Sequence, residues 1–221
     1  MTEARIKRTV KQILDRLKRE YDSPRQQLHG DPISVLVQTI LSQNTSDVNS
    51  TAAYQSLLAS FDKWEHLADA DVDTVAHYIK RGGLGRIKAQ RLKRALKEII
   101  RQRGRLELDF LSQLALPSAQ DWLRRLPGVG LKTACCVLLF SLGIPALPVD
   151  THVLRVTKRL GLINPMASLD EAHYELGKAV PPDDVYQFHV LVIEHGRKIC
   201  RARYPKCQYC VLEKICPSLI Q

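Results

Sequence analysis

The chain has 221 residues, 45% of them hydrophobic, enough for a buried core in one large domain or two small ones. Its 33 Lys and Arg outnumber 23 Asp and Glu, and the formal charge of +10 predicts a polyanionic partner, with nucleic acid ahead of an anionic membrane surface. The longest apolar stretch, 134–149, is too short for a bilayer and is broken by Ser141, Gly143, Pro145 and Pro148; with no apolar signal segment at the N-terminus, an intracellular protein without membrane contact is expected.

Helical periodicity runs through nearly every segment. Ile6, Val10, Ile13, Leu14, Leu17 and Tyr21 share one face of a first helix. Asp31-Pro32 reads as an N-cap with proline in the first helical position, followed by the apolar stretch 33–41. Val72, Val75 and Ile79 mark another helix, stopped by Gly82-Gly83. In the next, Ala89, Leu92, Ala95, Leu96, Ile99 and Ile100 form the apolar face and Arg91, Lys93, Arg94, Lys97 and Arg101 the opposite one. Residues 118–126 and 131–142 predict two helices joined by a tight turn at 127–130. A helix over 151–161 would be capped by Asp150, and one over 184–195 would end at Gly196 as a C-cap glycine. No run alternates as a strand does, so the expected fold is all-α with short loops.

The hairpin carries the first chemical signal. In Leu126-Pro127-Gly128-Val129-Gly130-Leu131-Lys132-Thr133-Ala134 the glycines permit a tight turn, and the second helix offers its N-terminal N–H groups to an anion. Such phosphate contacts position a protein without reading base sequence. Lys132 is a potential amine nucleophile, and Asp150, in Pro148-Val149-Asp150-Thr151-His152, a potential partner for positive charge. Lys132 also suits plain phosphate binding and Asp150 plain helix capping.

Six cysteines divide into two groups. Cys135 and Cys136 lie in an apolar helix and read as packing residues. Cys200, Cys207, Cys210 and Cys216 are spaced Cys-x6-Cys-x2-Cys-x5-Cys; in a reducing compartment that cluster reads as a metal site, and spacing alone leaves zinc and iron–sulfur equal. Arg197, Lys198, Arg201, Arg203 and Lys206 surround the first two of these cysteines.

Taken together, Leu-Pro-Gly-Val-Gly-x-Lys-Thr-Ala, Val-Asp-Thr-His-Val-x-Arg-Val and the four terminal cysteines resemble the helix-hairpin-helix DNA glycosylases of the endonuclease III family, from about Asp31 to Cys216. The resemblance implies a two-domain fold, with residues 25–144 carrying the hairpin and residues 1–24 plus 145–221 carrying the metal loop. It implies a bifunctional glycosylase and abasic-site lyase, a monomer acting on oxidised pyrimidines in double-stranded DNA. Lys132 would be its nucleophile and Asp150 its catalytic carboxylate. It implies a 4Fe-4S cluster on Cys200, Cys207, Cys210 and Cys216, in a structural role. Gly128, Val129, Gly130 and Thr133 would meet DNA, as would His152, read as structural rather than catalytic.

Opening a duplex requires something to replace the extruded nucleotide. By resemblance, Asn44 stands where relatives place an intercalating glutamine, and the neighbouring Gln43 is its substitute. Leu84 is the apolar wedge of a second loop, and Lys88 is expected to begin a helix whose N-terminus meets a phosphate. Arg124 departs from a family position that is often acidic. Alternatives with the same fold are an adenine or mismatch-specific glycosylase; from another class, a non-catalytic DNA-binding hairpin module.

Overall fold

The computed structural model describes residues 3–22 and 25–218; helices and short 3-10 turns account for its regular structure, with no strand among the described residues. In chain order the helices are α1 (Glu3–Glu20), α2 (Pro32–Ser42), α3 (Asp47–Ser60), α4 (Trp64–Asp69), α5 (Val72–Tyr78), α6 (Gly85–Arg103), α7 (Leu116–Arg124), α8 (Leu131–Leu142), α9 (Thr151–Arg159), α10 (Leu169–Ala179) and α11 (Val185–Lys198). The chain divides into two compact units, Leu28–Ile144 and Met1–Gln27 with Pro145–Gln221.

In the unit 28–144, α2 and α8 pack together and form the centre. Their sequences are apolar nearly all round, as fully enclosed helices require, and Ile33, Leu36, Val37, Ile40, Val137 and Leu138 are buried. Asp31 caps α2 as its sequence predicts, accepting from the N–H groups of Ile33 (2.9 Å) and Ser34 (3.0 Å). Helices α4 and α5 pack on α6, and α7 on α8. Cys135 and Cys136 are buried in α8. Burial pushes the Cys135 thiol up to about 12, which leaves it inert.

In the other unit, α11 packs against α9 and α1. Val10, Ile13, Leu14 and Leu17 are buried along α1, matching the predicted face. Helix α11 runs through Gly196 to Lys198, so Gly196 is not the predicted C-cap. A Cβ there would lie 3.2 Å from both the His152 Cβ and the Val156 Cγ2 of α9; the missing side chain lets the two helices approach closely. Ser168 and Glu171 form a capping box at the start of α10, and these hydrogen bonds hold the Glu171 carboxyl below its usual range.

Candidate functional site

Pro127 to Gly130 close the hairpin between α7 and α8 as expected. The turn is held by N–H donation from Leu126 to the Leu123 carbonyl (3.0 Å) and from Val129 to the Leu126 carbonyl (3.1 Å). Gly128 has φ +79°, which favours glycine, and a Cβ there would lie 3.0 Å from Arg91 Cγ and Cδ and have to displace that side chain. Gly130 differs: its φ of −88° suits any residue, and a Cβ would meet nothing within 4 Å. Gly130 is the N-cap of α8 and supplies no side chain, so the first-turn N–H groups lack a side-chain cap and face an open approach. That is an anion-binding geometry.

The turn residues differ in what they can offer. Val129 is buried and its N–H is engaged by Leu126, so neither its side chain nor its amide is available to a phosphate, contrary to expectation. Thr133 is buried too, and Gln43 Nε2 donates to its Oγ1 (3.4 Å) and to the Gly128 carbonyl (3.1 Å). Lys132 is the second residue of α8 and half-buried, beside the uncapped amides.

Asp150 belongs to the other unit, half-buried at the N-cap of α9, and accepts from the Val153 N–H at 2.7 Å. The extended segment before it is held by two histidines that sequence reasoning passed over. His173 Nδ1 donates to the Leu147 carbonyl (3.1 Å), and His189 Nδ1 to the Pro148 carbonyl (2.9 Å). His152 is half-buried with its Nδ1 3.1 Å from Arg155 Nη2, a contact that ties it into the same unit.

Cys200, Cys207, Cys210 and Cys216 line a single cavity of about 30 Å³. Side-chain nitrogens approach two of the sulfurs. Arg159 Nη1 donates to Cys200 Sγ (3.4 Å). His195 bridges Tyr21 and the loop, with Nδ1 3.1 Å from the Tyr21 hydroxyl and Nε2 3.4 Å from Cys210 Sγ. Burial pushes His195 down to about 4 and Cys210 up to about 11. Arg155 and Arg159 brace the loop backbone through the carbonyls of Gly196 (2.8 Å), Cys200 (3.0 Å) and Arg201 (2.7 Å). Their spacing of one helical turn on α9 puts both on one face, and Arg155 is also the arginine of the Val-x-Arg-Val motif.

Residues 37–182 match the model of the HhH-GPD superfamily of base excision DNA repair proteins. The chain belongs to this superfamily. Endonuclease III of Thermotoga maritima is 34% identical over 193 residues, covering 87% of this chain and 86% of that protein. An Arabidopsis thaliana protein bearing a DNA glycosylase name is 37% identical over 165 residues, a match spanning 75% of this chain and 56% of that protein. Among solved structures, a non-covalent endonuclease III–DNA complex superposes with a TM-score of 0.82 at 28% identity, covering 99% of this chain and 96% of that one.

In this HhH-GPD chain, the loops after α2 and before α6 hold the candidate wedge residues. Asn44 is exposed with φ +52°, and Leu84 is 52% exposed with φ +51°. Gln43 is engaged at both ends of its amide, by Arg91 Nη1 at Oε1 (3.0 Å) and through Nε2 as above. It therefore anchors the loop to the hairpin, and Asn44 projects instead. Lys88 departs from expectation: α6 begins at Gly85, and the Lys88 side chain is 1% exposed, with no path to a phosphate. Its Nζ donates to the carbonyls of Leu41 (2.6 Å) and Gly82 (2.8 Å).

Proposed function

We propose that this protein is a bifunctional DNA glycosylase and abasic-site lyase that removes oxidised pyrimidines from duplex DNA. The observation that supports this reading most is Lys132 at the second position of α8, beside first-turn amides that no side chain caps. A phosphate held by those amides fixes the strand by its backbone and leaves the base unread.

In this reading the neutral Lys132 amine attacks C1′, the glycosidic bond breaks, and the base departs with a proton. The bond from C1′ to the ring oxygen then opens, giving a Schiff base between Nζ and C1′. Loss of a C2′ proton expels the 3′ phosphate and cuts the strand. Asp150 offers negative charge to the cationic sugar as the base departs. Asn44 and Leu84 fill the space of the extruded nucleotide.

The cysteine loop fits a 4Fe-4S cluster. Four thiols line one cavity, Arg159 donates to Cys200 Sγ, and His195 Nε2 lies 3.4 Å from Cys210 Sγ. Cys200, Cys207, Cys210 and Cys216 would hold the cluster, which when bound supplies cross-linking of the loop rather than redox chemistry. Exposed Arg201, Arg203 and Lys206 then have an ordered backbone from which to meet phosphates. Native protein should contain iron and absorb at about 400 nm, and Cys210→Ser should lose both; a colourless, zinc-loaded native protein would contradict the cluster.

Borohydride trapping tests the catalytic reading. Wild type should form a covalent complex with duplexes carrying thymine glycol or an abasic site. Lys132→Gln should form neither while still binding DNA. Strand cutting retained in Lys132→Gln overturns the role of Lys132.

A further inference from the structure

We propose that Lys88 is a positioning residue that locks the Asn44 loop and the Leu84 loop into one body, so that plug and wedge enter a duplex together. The proposal rests on the glycosylase reading for its purpose and on the internal geometry of unit 28–144 for its substance.

The carbonyls at the end of α2 show what Lys88 does. A helix leaves its last four carbonyls without intrahelical donors. Here the Thr39 carbonyl accepts from Ser42 Oγ (2.8 Å), Ile40 from the Gln43 N–H (3.3 Å) and Ser42 from the Thr45 N–H (3.3 Å). The remaining one, on Leu41, accepts from Lys88 Nζ at 2.6 Å. The same ammonium donates to Gly82 at 2.8 Å, just before the wedge loop turns. The Gly82 carbonyl also accepts from Thr45 Oγ1, the residue after Asn44. One buried cation and one hydroxyl thus bridge two loops that are distant in sequence.

Each projecting residue sits between anchored neighbours. Asn44 lies between Gln43, hydrogen-bonded to the hairpin, and Thr45, hydrogen-bonded to Gly82. Leu84 follows Gly83 (φ +64°), and its carbonyl accepts from the Lys88 N–H at 2.9 Å. Both Asn44 and Leu84 occupy the left-handed region; asparagine adopts it readily, whereas leucine resists it unless its surroundings impose it. A lysine suits the bridge because both acceptors are carbonyls, and that of Leu41 lies at the negative end of α2. Burial, then the nearby Arg91 charge, pushes the Lys88 ammonium below the usual lysine value.

The test compares wild type with Lys88→Met and Thr45→Val on two substrates. One is a thymine glycol duplex, whose base must be extruded; the other is an abasic site in a single strand, where no stack is opened. Lys88→Met should slow duplex excision by about a hundredfold, the scale of a misplacement of roughly 1 Å, while borohydride trapping on the single strand stays within about twofold. Thr45→Val, which leaves the buried cation in place, should shift the same ratio in the same direction by less. Hydrogen exchange gives an independent reading: the amides of Gln43, Thr45, Gly82 and Gly83 should speed up together in Lys88→Met, while those of α9 and α11 hold.

Equal loss on both substrates in Lys88→Met with no change in Thr45→Val would make Lys88 a general stabiliser and overturn the proposal. So would loops that exchange independently. A wild type inert on both substrates overturns the glycosylase reading instead, and the exchange data still decide the bridge.

Discussion

Asp150 combines two roles that point substitutions can separate. Its carboxylate accepts from the Val153 N–H at 2.7 Å, which caps α9 and fixes the oxygen in one orientation. Asparagine caps a helix about as well as aspartate but carries no charge. Asp150→Asn should therefore keep the thermal midpoint within about 1–2 °C of wild type, since capping is preserved, yet lose most glycosylase activity. Asp150→Ala should lose the activity and also about 0.5–2 kcal/mol of stability. Calorimetry beside single-turnover kinetics distinguishes the two; an active Asp150→Asn would reduce this residue to a cap. The cap itself was legible in the sequence, because an aspartate before a periodic apolar run states its own local chemistry. The His173 and His189 bonds to Leu147 and Pro148 were not, because partners 26 and 41 residues apart share no local pattern.

At the scale of elements, the hairpin was readable because its geometry depends on residues in a row: proline after one helix, glycine at the positive-φ position, glycine at the next cap. Helix α8 begins and ends where its periodicity predicts. Gly196 and Lys88 misled for one shared reason. A glycine near a helix end and a lysine near a helix start normally have local explanations, whereas these two are fixed by other segments: the close approach of α9, and the carbonyls of Leu41 and Gly82. The hairpin glycines make a sharper prediction. Gly128→Ala must place a Cβ at φ +79° and 3.0 Å from Arg91, so it should cost about 1–2 kcal/mol in stability. Gly130→Ser meets no such obstacle, and serine is at least as good an N-cap as glycine. Its hydroxyl would satisfy an α8 amide from within, so stability should hold or rise while DNA affinity falls. Denaturant titration and fluorescence anisotropy on the same two variants check this; Gly130→Ser that binds like wild type would rule out the amides as the phosphate site.

At the scale of the whole molecule, the +10 charge matters only where cations are free to meet phosphate. On α6, Lys93, Arg94, Lys97 and Arg101 line a groove of about 430 Å³ that also takes in Pro127 of the hairpin turn. Lys97 is paired with Asp69 at 3.9 Å and Arg101 with Glu98 at 2.6 Å, whereas Lys93 and Arg94 lie beside the hairpin with no acid partner among the described residues. Each phosphate neutralised contributes about −0.9 to the slope of log K against log salt. Replacing Lys93 and Arg94 by Gln should therefore flatten that slope by about 1.8 on undamaged duplex, read between about 50 and 200 mM salt. Lys88→Met should leave the slope unchanged, because a side chain 1% exposed displaces no counterion. An unchanged slope in the double variant would place that groove away from the duplex. A flattened one in Lys88→Met would mean that its ammonium leaves the Leu41 and Gly82 carbonyls to reach a phosphate.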